Sequence, residues 1–426
     1  MAILFLFIFA ILLFAVSNKR WDVASKRMML LFVGYWGIAL TWSAIGVSDY
    51  NKPGTLAYIL LLANVFMFLA GFSFLSKGAQ RNKGFSSTEL HSIINRLISS
   101  KTFSFVLVLS VILSVYYYIK MQVFYAAVGD LDVVRGAYFD NSLMGYEYIW
   151  LNHLFLKPFH YICIPVFGYM LFFRRDWRFV FVILFLLPYT SLDGGRFGYL
   201  RIALGVIFVF FCLFNDTKYK LKQFFYLGAG LLVFLYLMAV VTNARGGGEQ
   251  SLAEGTFTAF SHYLCGPMSA FDYAITHDYI DRMGGYTYGR LSFASVDGLL
   301  RYALQIIGID IDDPLSRLVE FKQGERILIG SDSTWNAQYT SQLYPWLDAG
   351  VLGCILFPFI FGMGFGYLIN LFAKYRNWQF LVLVSAFFQI NMHSVSDFGL
   401  YSPFTLLAFL FIYYLGKHTR NYSKSK

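Results

Sequence analysis

Three arginines expected close to a membrane surface stand beside glycine: Arg135-Gly136, Asp193-Gly-Gly-Arg196 and Arg245-Gly-Gly-Gly248. A guanidinium fork grips two phosphate oxygens at once, and a neighbouring glycine lets backbone N–H groups approach the same anion. The pattern therefore points to phosphate or diphosphate binding. A further glycine follows ten residues after Arg135 and after Arg245, at Gly145 and Gly255. The alternative for each arginine is a side chain that snorkels to a membrane interface or pairs with a carboxylate.

Other residue types offer other chemistry. Asp310-Ile-Asp-Asp313 is a carboxylate cluster of the kind that holds a divalent ion. Asp313 before Pro314 is also the pattern of a helix N-cap followed by proline at the first helical position. No His/Cys group has zinc spacing; the expectation is a site without metal or other cofactor, in which arginines do a metal's work. His262 and His277 have the chemistry of general bases, though a histidine on an amphipathic helix serves packing as readily. The same two readings apply to His153 and His160, at the mouth of an apolar run. Tyr286, Tyr288, Trp335, Tyr339 and Tyr344 could stack on sugar rings, or belong to the aromatic belt of a membrane protein.

The elements that would position these residues follow from composition. Of 426 residues, 58% are hydrophobic, 20% aromatic and only 14% charged, where a soluble domain is nearer a quarter charged. Apolar runs of about 20 residues must be helices if they cross lipid, because lipid satisfies no exposed backbone group. Eleven such runs are expected: Ala2–Val16, Met28–Val47, Thr55–Ser76, Thr102–Tyr118, Trp150–Phe173, Phe179–Ser191, Phe197–Phe214, Phe224–Val241, Gly350–Leu371, Trp378–Met392 and Leu400–Leu415. The fold class is an all-α polytopic integral membrane protein with about eleven transmembrane helices and one large, partly helical external loop.

Charge sets the expected orientation. No basic side chain precedes the first run, while Lys19, Arg20, Lys26 and Arg27 follow it, so the N-terminus is external and the run is retained rather than cleaved. Of 34 basic and 24 acidic residues, 21 and 4 fall in the segments this topology makes cytoplasmic, leaving 13 and 20 outside. The net charge of +10 then reflects the positive-inside rule rather than nucleic-acid binding. The C-terminus is cytoplasmic, and the expected location is the cell (inner) membrane.

Three segments result: an N-terminal bundle of eight spans over 1–242, a large external loop domain over 243–349, and three spans with a basic tail over 350–426. Within the loop, Ser251-Leu-Ala-Glu254 has the pattern of a capping box. Phe257, Phe260, Leu264, Phe271 and Ile275 follow at near-helical spacing, with a kink expected at Gly266-Pro267. A second amphipathic run is Phe293, Val296, Leu300, Leu304 and Ile307, stopped by Gly308. Asp332 or Ser333 is expected to cap a third helix presenting Trp335, Tyr339, Gln342 and Trp346. Of four cysteines, Cys163, Cys212 and Cys354 fall in apolar runs and Cys265 alone in the loop, which leaves no disulfide framework there. Gly362, Gly364 and Gly366 suit close helix packing.

Taken together, these stretches resemble a known family. Asn336-Ala-Gln-Tyr339, Leu343-Tyr344, and Asp348-Ala-Gly350 with Gly353 entering a span are similar to the end of the large periplasmic loop in bacterial oligosaccharide repeat-unit polymerases, the Wzy-type O-antigen polymerases. Tyr288-Gly-Arg-Leu-Ser292 resembles that family's Tyr-Gly-x-Ser-type stretch before a helix. Asp193-Gly-Gly-Arg196 resembles the Ser-Arg-Gly turn shared by polymerases and O-antigen ligases. Span number and the single large external loop agree as well. Two departures stand out. Trp335-Asn336 replaces the His-Asn pair of the ligases, and Arg135 and Arg245 reach glycine one residue sooner than the family's Arg-to-Gly motifs.

The resemblance implies a glycosyltransferase that polymerises polyprenyl-diphosphate-linked oligosaccharide repeats on the outer face of the membrane. An acceptor hydroxyl attacks the donor's anomeric carbon and lipid diphosphate leaves, so arginines should stabilise the charge developing there. Arg196 and Arg245 are expected in catalysis, with Arg135, Tyr288, Arg290, Asn336, Tyr339 and Tyr344 binding substrate. Asp348, Glu249 and His262 are alternatives for the general base. Implied partners are the lipid-linked donor and acceptor, membrane lipid and a chain-length regulator protein, with no nucleic acid. Two other functions fit a polytopic chain with external arginines: an O-antigen ligase, and a transporter or lipid-linked oligosaccharide flippase. Transporters usually show repeated halves and charges near the midplane, whereas the charges here gather at one side.

Overall fold

A computed structural model of the chain describes residues 8–11, 14–15, 17–18, 21–46, 49–76, 87–139, 142–174, 176–192, 197–213, 221–244, 251, 254, 257, 261–324, 327–330, 334–335, 339–396 and 402–423. These are overwhelmingly helical. In chain order the helices are α1 (Val23–Ile45), α2 (Thr55–Leu75), α3 (Ser87–Ile98), α4 (Lys101–Val128) and α5 (Leu131–Phe139). Next come α6 (Tyr146–Phe172), which includes a π-helical turn at Asn152–Leu156, α7 (Trp177–Ser191), α8 (Phe197–Ile207) and α9 (Leu221–Ala244). The last are α10 (Gly266–Thr276), α11 (Tyr279–Arg282), α12 (Ala294–Ile306), α13 (Pro314–Gly324), α14 (Leu343–Tyr375), α15 (Trp378–His393) and α16 (Pro403–Ser423).

Among the described residues, six helices are long and apolar enough to cross a membrane: α1, α2, α4, α6, α9 and α14. Three shorter apolar segments are α7, Gly198–Cys212, which joins α8 to a π-helical continuation at Phe208–Leu213, and Pro403–Lys417 in α16. Local chemistry fixes several ends. The Asp22 carboxylate accepts from Ser25 N at 2.8 Å to start α1, and the Ser100 hydroxyl accepts from Phe103 N at 3.0 Å to start α4. Gly46 and Gly129 close the same two helices in the left-handed region, which glycine enters without a Cβ penalty. The Ser251–Glu254 capping box forms, with Ser251 N donating to Glu254 at 3.0 Å and Glu254 N donating back to Ser251 Oγ at 3.3 Å.

The chain divides into two compact units: 1–84, 260–375 and 390–411 form the first, and 85–259, 376–389 and 412–426 the second. Each unit thus draws on segments far apart in sequence.

In the first unit, α2 packs along α14 at backbone contact. A Cβ on Gly71 would run into the Phe359 carbonyl, one on Gly362 into the Phe68 carbonyl, and one on Gly366 would stand 2.8 Å from the Phe72 carbonyl. Phe365 fills the seam beside Phe68 and Phe72, with ring centroids 6.4 and 5.7 Å away. Gly364 faces open space, so two of the three glycines expected to serve packing do so.

The second unit packs α4 against α7, and α6 against α7 and α8. Arg376 joins α3 through both Glu89 oxygens, at 2.8 and 2.7 Å. Arg174 and Arg178 share Asp176, each at 3.2 Å.

In the loop region the helical run 261–264 is interrupted at Cys265, and Gly266-Pro267 open α10, so the run bends where expected; in that first turn proline's missing N–H costs nothing. One expectation is not met. Among the described residues the third loop helix does not begin where expected: Thr334–Trp335 is a strand, β2, antiparallel to β1 (Ile327–Leu328), and the next described helix begins at Leu343. The reason is long-range pairing. Gly330, just past β1, bridges to Tyr50, and Asn51 N donates to Ile329 O at 2.6 Å. The short connection between α1 and α2 therefore holds this segment extended. It also holds α10, through Gly54 N to Asp272 at 2.9 Å and Ser269 Oγ to Asn51 O at 2.6 Å.

Candidate functional site

Among the described residues of the first unit, a polar network is built where a loop meets a broken helix. After α11, Gly284, Gly285 and Gly289 all take positive φ, and so does Tyr288 at 52°. A tyrosine in that region costs roughly 1–2 kcal/mol, so the surroundings must impose it. They do so through α14. Its helix is interrupted at Ala349 and Gly350, which frees the end of the Leu343–Asp348 turn to pair with the loop. Thr287 N donates to Leu347 O and Tyr288 N to Asp348 O, both at 3.1 Å. Gly350 has φ 59°, and a Cβ there would stand 3.2 Å from the Tyr286 hydroxyl, so glycine is required twice over.

The Asp348 carboxylate is the anchor. It is 3% exposed. Oδ1 accepts from Thr287 Oγ1 at 2.5 Å and from Leu291 N at 3.1 Å, and Oδ2 accepts from Ser292 N at 2.7 Å. Both oxygens are thus engaged in holding the Thr287–Ser292 loop. Such a carboxylate fixes geometry, and the loop it fixes presents Tyr288 to the outside with 84% of the residue exposed.

An ion-pair chain continues from the loop. Arg290 Nε binds Asp297 at 2.7 Å while its Nη2 donates to Asp312 O at 2.5 Å. Arg301 bridges Asp297 at 3.0 Å and Asp313 at 2.7 Å. Asp313 in turn caps α13, accepting from Leu315 N at 3.0 Å and from Ser316 N at 3.2 Å. Partial burial raises the Asp313 carboxyl, but hydrogen bonds from Ser316 and the charge of Arg301 outweigh it and hold the group below the usual carboxylate value. Asp312 pairs with Arg317 at 2.9 Å. Among the described residues, no group of three or more His, Cys, Asp or Glu is placed to hold a metal ion. A polar cavity of about 360 Å³ lies alongside, lined by Gly298, Arg301, Tyr302, Gln305, Asp313 and Pro403.

The other sequence-derived positions fall elsewhere. His262 Nδ1 meets the Tyr50 hydroxyl, with the rings edge-on at 5.6 Å. His277 stacks on Tyr273 at 3.6 Å. Tyr339 and Tyr344 are both buried, and Lys322 Nζ sits 5.2 and 5.9 Å from their ring centroids. The Tyr339 hydroxyl lies 3.2 Å from that of Tyr279. These two rings are part of the interior rather than an open platform for a sugar. Arg135 lies half-buried in α5, in the second unit. Arg196, Arg245, Asn336 and Glu249 lie outside the described residues.

The structure therefore brings Tyr288, Arg290 and Asp348 into one junction and sets Tyr339 beside Tyr344 under Lys322. Sequence reasoning missed Thr287, Asp297, Arg301 and Lys322. Asp297 and Arg301 were discoverable as an i, i+4 pair; Thr287 and Lys322 carry no such local signal. It also missed a cationic group in the second unit. There Lys157 and Arg201 act electrostatically on each other and on His160. His160 is buried, with Nε2 3.4 Å from Thr190 Oγ1 and its ring 4.9 Å from that of Tyr189.

Comparison of the chain with family profiles, with curated proteins and with solved structures returns no match.

Proposed function

We propose that this protein is a membrane-embedded glycosyltransferase that polymerises polyprenyl-diphosphate-linked oligosaccharide repeats into a surface polysaccharide such as O-antigen. In this reading the chain crosses the inner membrane eleven times, with its N-terminus outside and its C-terminus in the cytoplasm. Arg196 and Arg245 bind and stabilise the leaving diphosphate, and Arg135 assists with one of the two lipid carriers. The incoming sugar hydroxyl displaces that diphosphate at the anomeric carbon and loses its proton to a base on the external side.

One observation carries the reading. The two stretches that resemble the polymerases from separate parts of the sequence, Tyr288–Ser292 and the run ending at Asp348-Ala-Gly350, are joined by the Asp348 carboxylate. A family signature split over two distant stretches makes physical sense when the two build one junction. Asp348 here positions the loop, which leaves His262 and Glu249 as alternatives for the base. Tyr288, exposed at the tip of that loop, is the aromatic residue best suited to meet a sugar ring.

Surface glycan from a deletion strain tests the proposal. Loss of a polymerase leaves transfer of single units intact, so the ladder should collapse to one repeat per anchor where the strain's ligase accepts single repeats. Arg245→Ala and Arg196→Ala should give the same collapse at normal protein level, and Arg→Lys should rescue poorly because a point charge cannot replace a bidentate fork. Long polymer stranded on the lipid carrier would assign a ligase instead. Single repeats trapped on the cytoplasmic face would assign a flippase.

A further inference from the structure

The amphipathic run beginning at Phe293 turns its apolar side outward. Helix α12 buries Ala294, Ser295 and Gly298, a face of small residues. Its large apolar residues on the other side are open: Leu300 is 60% exposed and Ile307 67%, with Phe293 and Val296 also exposed. Asp297 and Arg301 border this ridge and are locked in the ion-pair chain, so the polar edge of the helix is fixed in place.

Two contacts identify what lies next to the ridge. The Phe293 ring is 5.7 Å from that of Phe357 on α14. Phe357 is seven residues beyond Gly350, or about 10 Å along a helix rising 1.5 Å per residue. At the other side, Gly298 accepts Pro403 so closely that a Cβ would stand 3.2 Å from its ring, and Tyr302 packs 6.0 Å from Phe404. Helix α12 therefore crosses the upper part of α14 and the first turn of α16. Both helices present exposed apolar side chains of their own: Leu352, Leu356 and Ile360 on α14, and Leu407, Leu410 and Phe411 on α16. The ridge on α12 lies beside the apolar side chains that these two helices expose.

We infer that α12 is an interfacial helix, lying in the headgroup region of the bilayer with Val296, Leu300 and Ile307 among the acyl chains. The depth agrees. An interfacial amphipathic helix sinks its apolar face roughly 5–10 Å; Ser292 N is held by Asp348 at the break in α14, while the Phe293 ring reaches Phe357, about 10 Å further along that helix. Bilayer lipid is the occupant, because the ridge lies beside two helices long or apolar enough to belong to the membrane. This placement is independent of the reaction proposed above.

Site-directed spin labelling of the full chain in phosphatidylethanolamine–phosphatidylglycerol vesicles tests it. Leu300→Cys and Ile307→Cys would be labelled with a nitroxide, with Leu356→Cys as the lipid reference and Glu320→Cys, on the exposed side of α13, as the water reference. The four native cysteines are buried, and unsubstituted protein supplies the background. Both test positions should collide with oxygen severalfold more than with a water-soluble nickel complex, matching Leu356→Cys. A ratio like that of Glu320→Cys would overturn the inference. So would a label immobilised and shielded from both reagents, which would mark contact with a second copy or a partner protein. Leu300→Trp gives a second measurement that avoids cysteine chemistry. Its fluorescence should be quenched by bromine-bearing acyl chains, and absence of quenching in intact protein would reject the placement.

Discussion

Removing the Asp348 carboxylate should release the Thr287–Ser292 loop while leaving the helices in place. Asp348→Ala deprives two backbone amides, Leu291 N and Ser292 N, and the Thr287 hydroxyl of their acceptor. An unsatisfied buried donor costs about 1–3 kcal/mol. The hydroxyl can rotate to another acceptor but the two amides cannot, so closure of the loop should weaken by roughly 4 kcal/mol. That is close to a thousandfold, at about 1.4 kcal/mol per factor of ten. Hydrogen exchange read by mass spectrometry, on full-length protein in detergent, reports it directly. Amides of the 286–293 peptide should lose about three orders of magnitude of protection while α2 and α14 keep theirs. Asp348→Asn retains one carbonyl oxygen and should lose about half as much free energy, roughly 2 kcal/mol. Thr287→Val removes only the hydroxyl bond and should cost about 1 kcal/mol. Transfer activity should fall in the same order, because a loosened loop no longer holds Tyr288 in place. Protection within tenfold of the parent in Asp348→Ala would refute the anchoring role. Full activity in Thr287→Val with none in Asp348→Asn would argue instead for Asp348 as the base.

Gly71→Ala drives a methyl into the Phe359 carbonyl and should lower stability by about 1–3 kcal/mol, seen as a reduced melting temperature in detergent. Gly364→Ala, which enters open space, should leave that temperature unchanged or raise it; equal losses in both would show that the α2–α14 seam is not what limits stability. The Asp313 carboxyl titrates below its ordinary 3.8 in the folded protein. Its contribution is therefore complete above that value and lost as pH falls through the lower folded value. Asp313→Asn should accordingly flatten the acid limb of a melting-temperature profile below about pH 4, and an unchanged limb would place the acid sensitivity elsewhere. Purified protein with lipid-linked repeats should elongate them in the presence of a chelator, since Asp312 and Asp313 are held in ion pairs with Arg317 and Arg301. Activity lost in chelator and restored by a divalent ion would require a metal site.

Much of this was legible in the sequence because it is local. A run such as Thr55–Leu75 contains no charge and fills a bilayer's width, so composition alone makes it a membrane-length helix. Asp313-Pro314 announces a helix start, and Ser251 with Glu254 a capping box, since each motif satisfies its own backbone donors within one turn. Periodicity likewise located the helix after Phe293. What periodicity could not say is which way that helix faces. The apolar stripe of Phe293, Val296, Leu300 and Ile307 has the spacing of a core-facing surface, yet the core is met by Ala294, Ser295 and Gly298, and at Gly298 Pro403 stands so close that a Cβ would be 3.2 Å from its ring. Nor does local sequence reveal partners hundreds of residues away. The pairing of Tyr50 and Asn51 with Gly330 and Ile329 kept Thr334–Trp335 extended where capping residues suggested helix. Cys265, the one cysteine of the expected external loop, is 1% exposed, so a membrane-impermeant thiol reagent would not read its side of the membrane. Asp348 illustrates the division most clearly. Its place in the Asp348-Ala-Gly350 stretch marked it as a candidate, but a buried carboxylate's role depends on which donors reach it. Those donors come from Thr287, Leu291 and Ser292, some sixty residues earlier in the chain, brought there only by the break in α14.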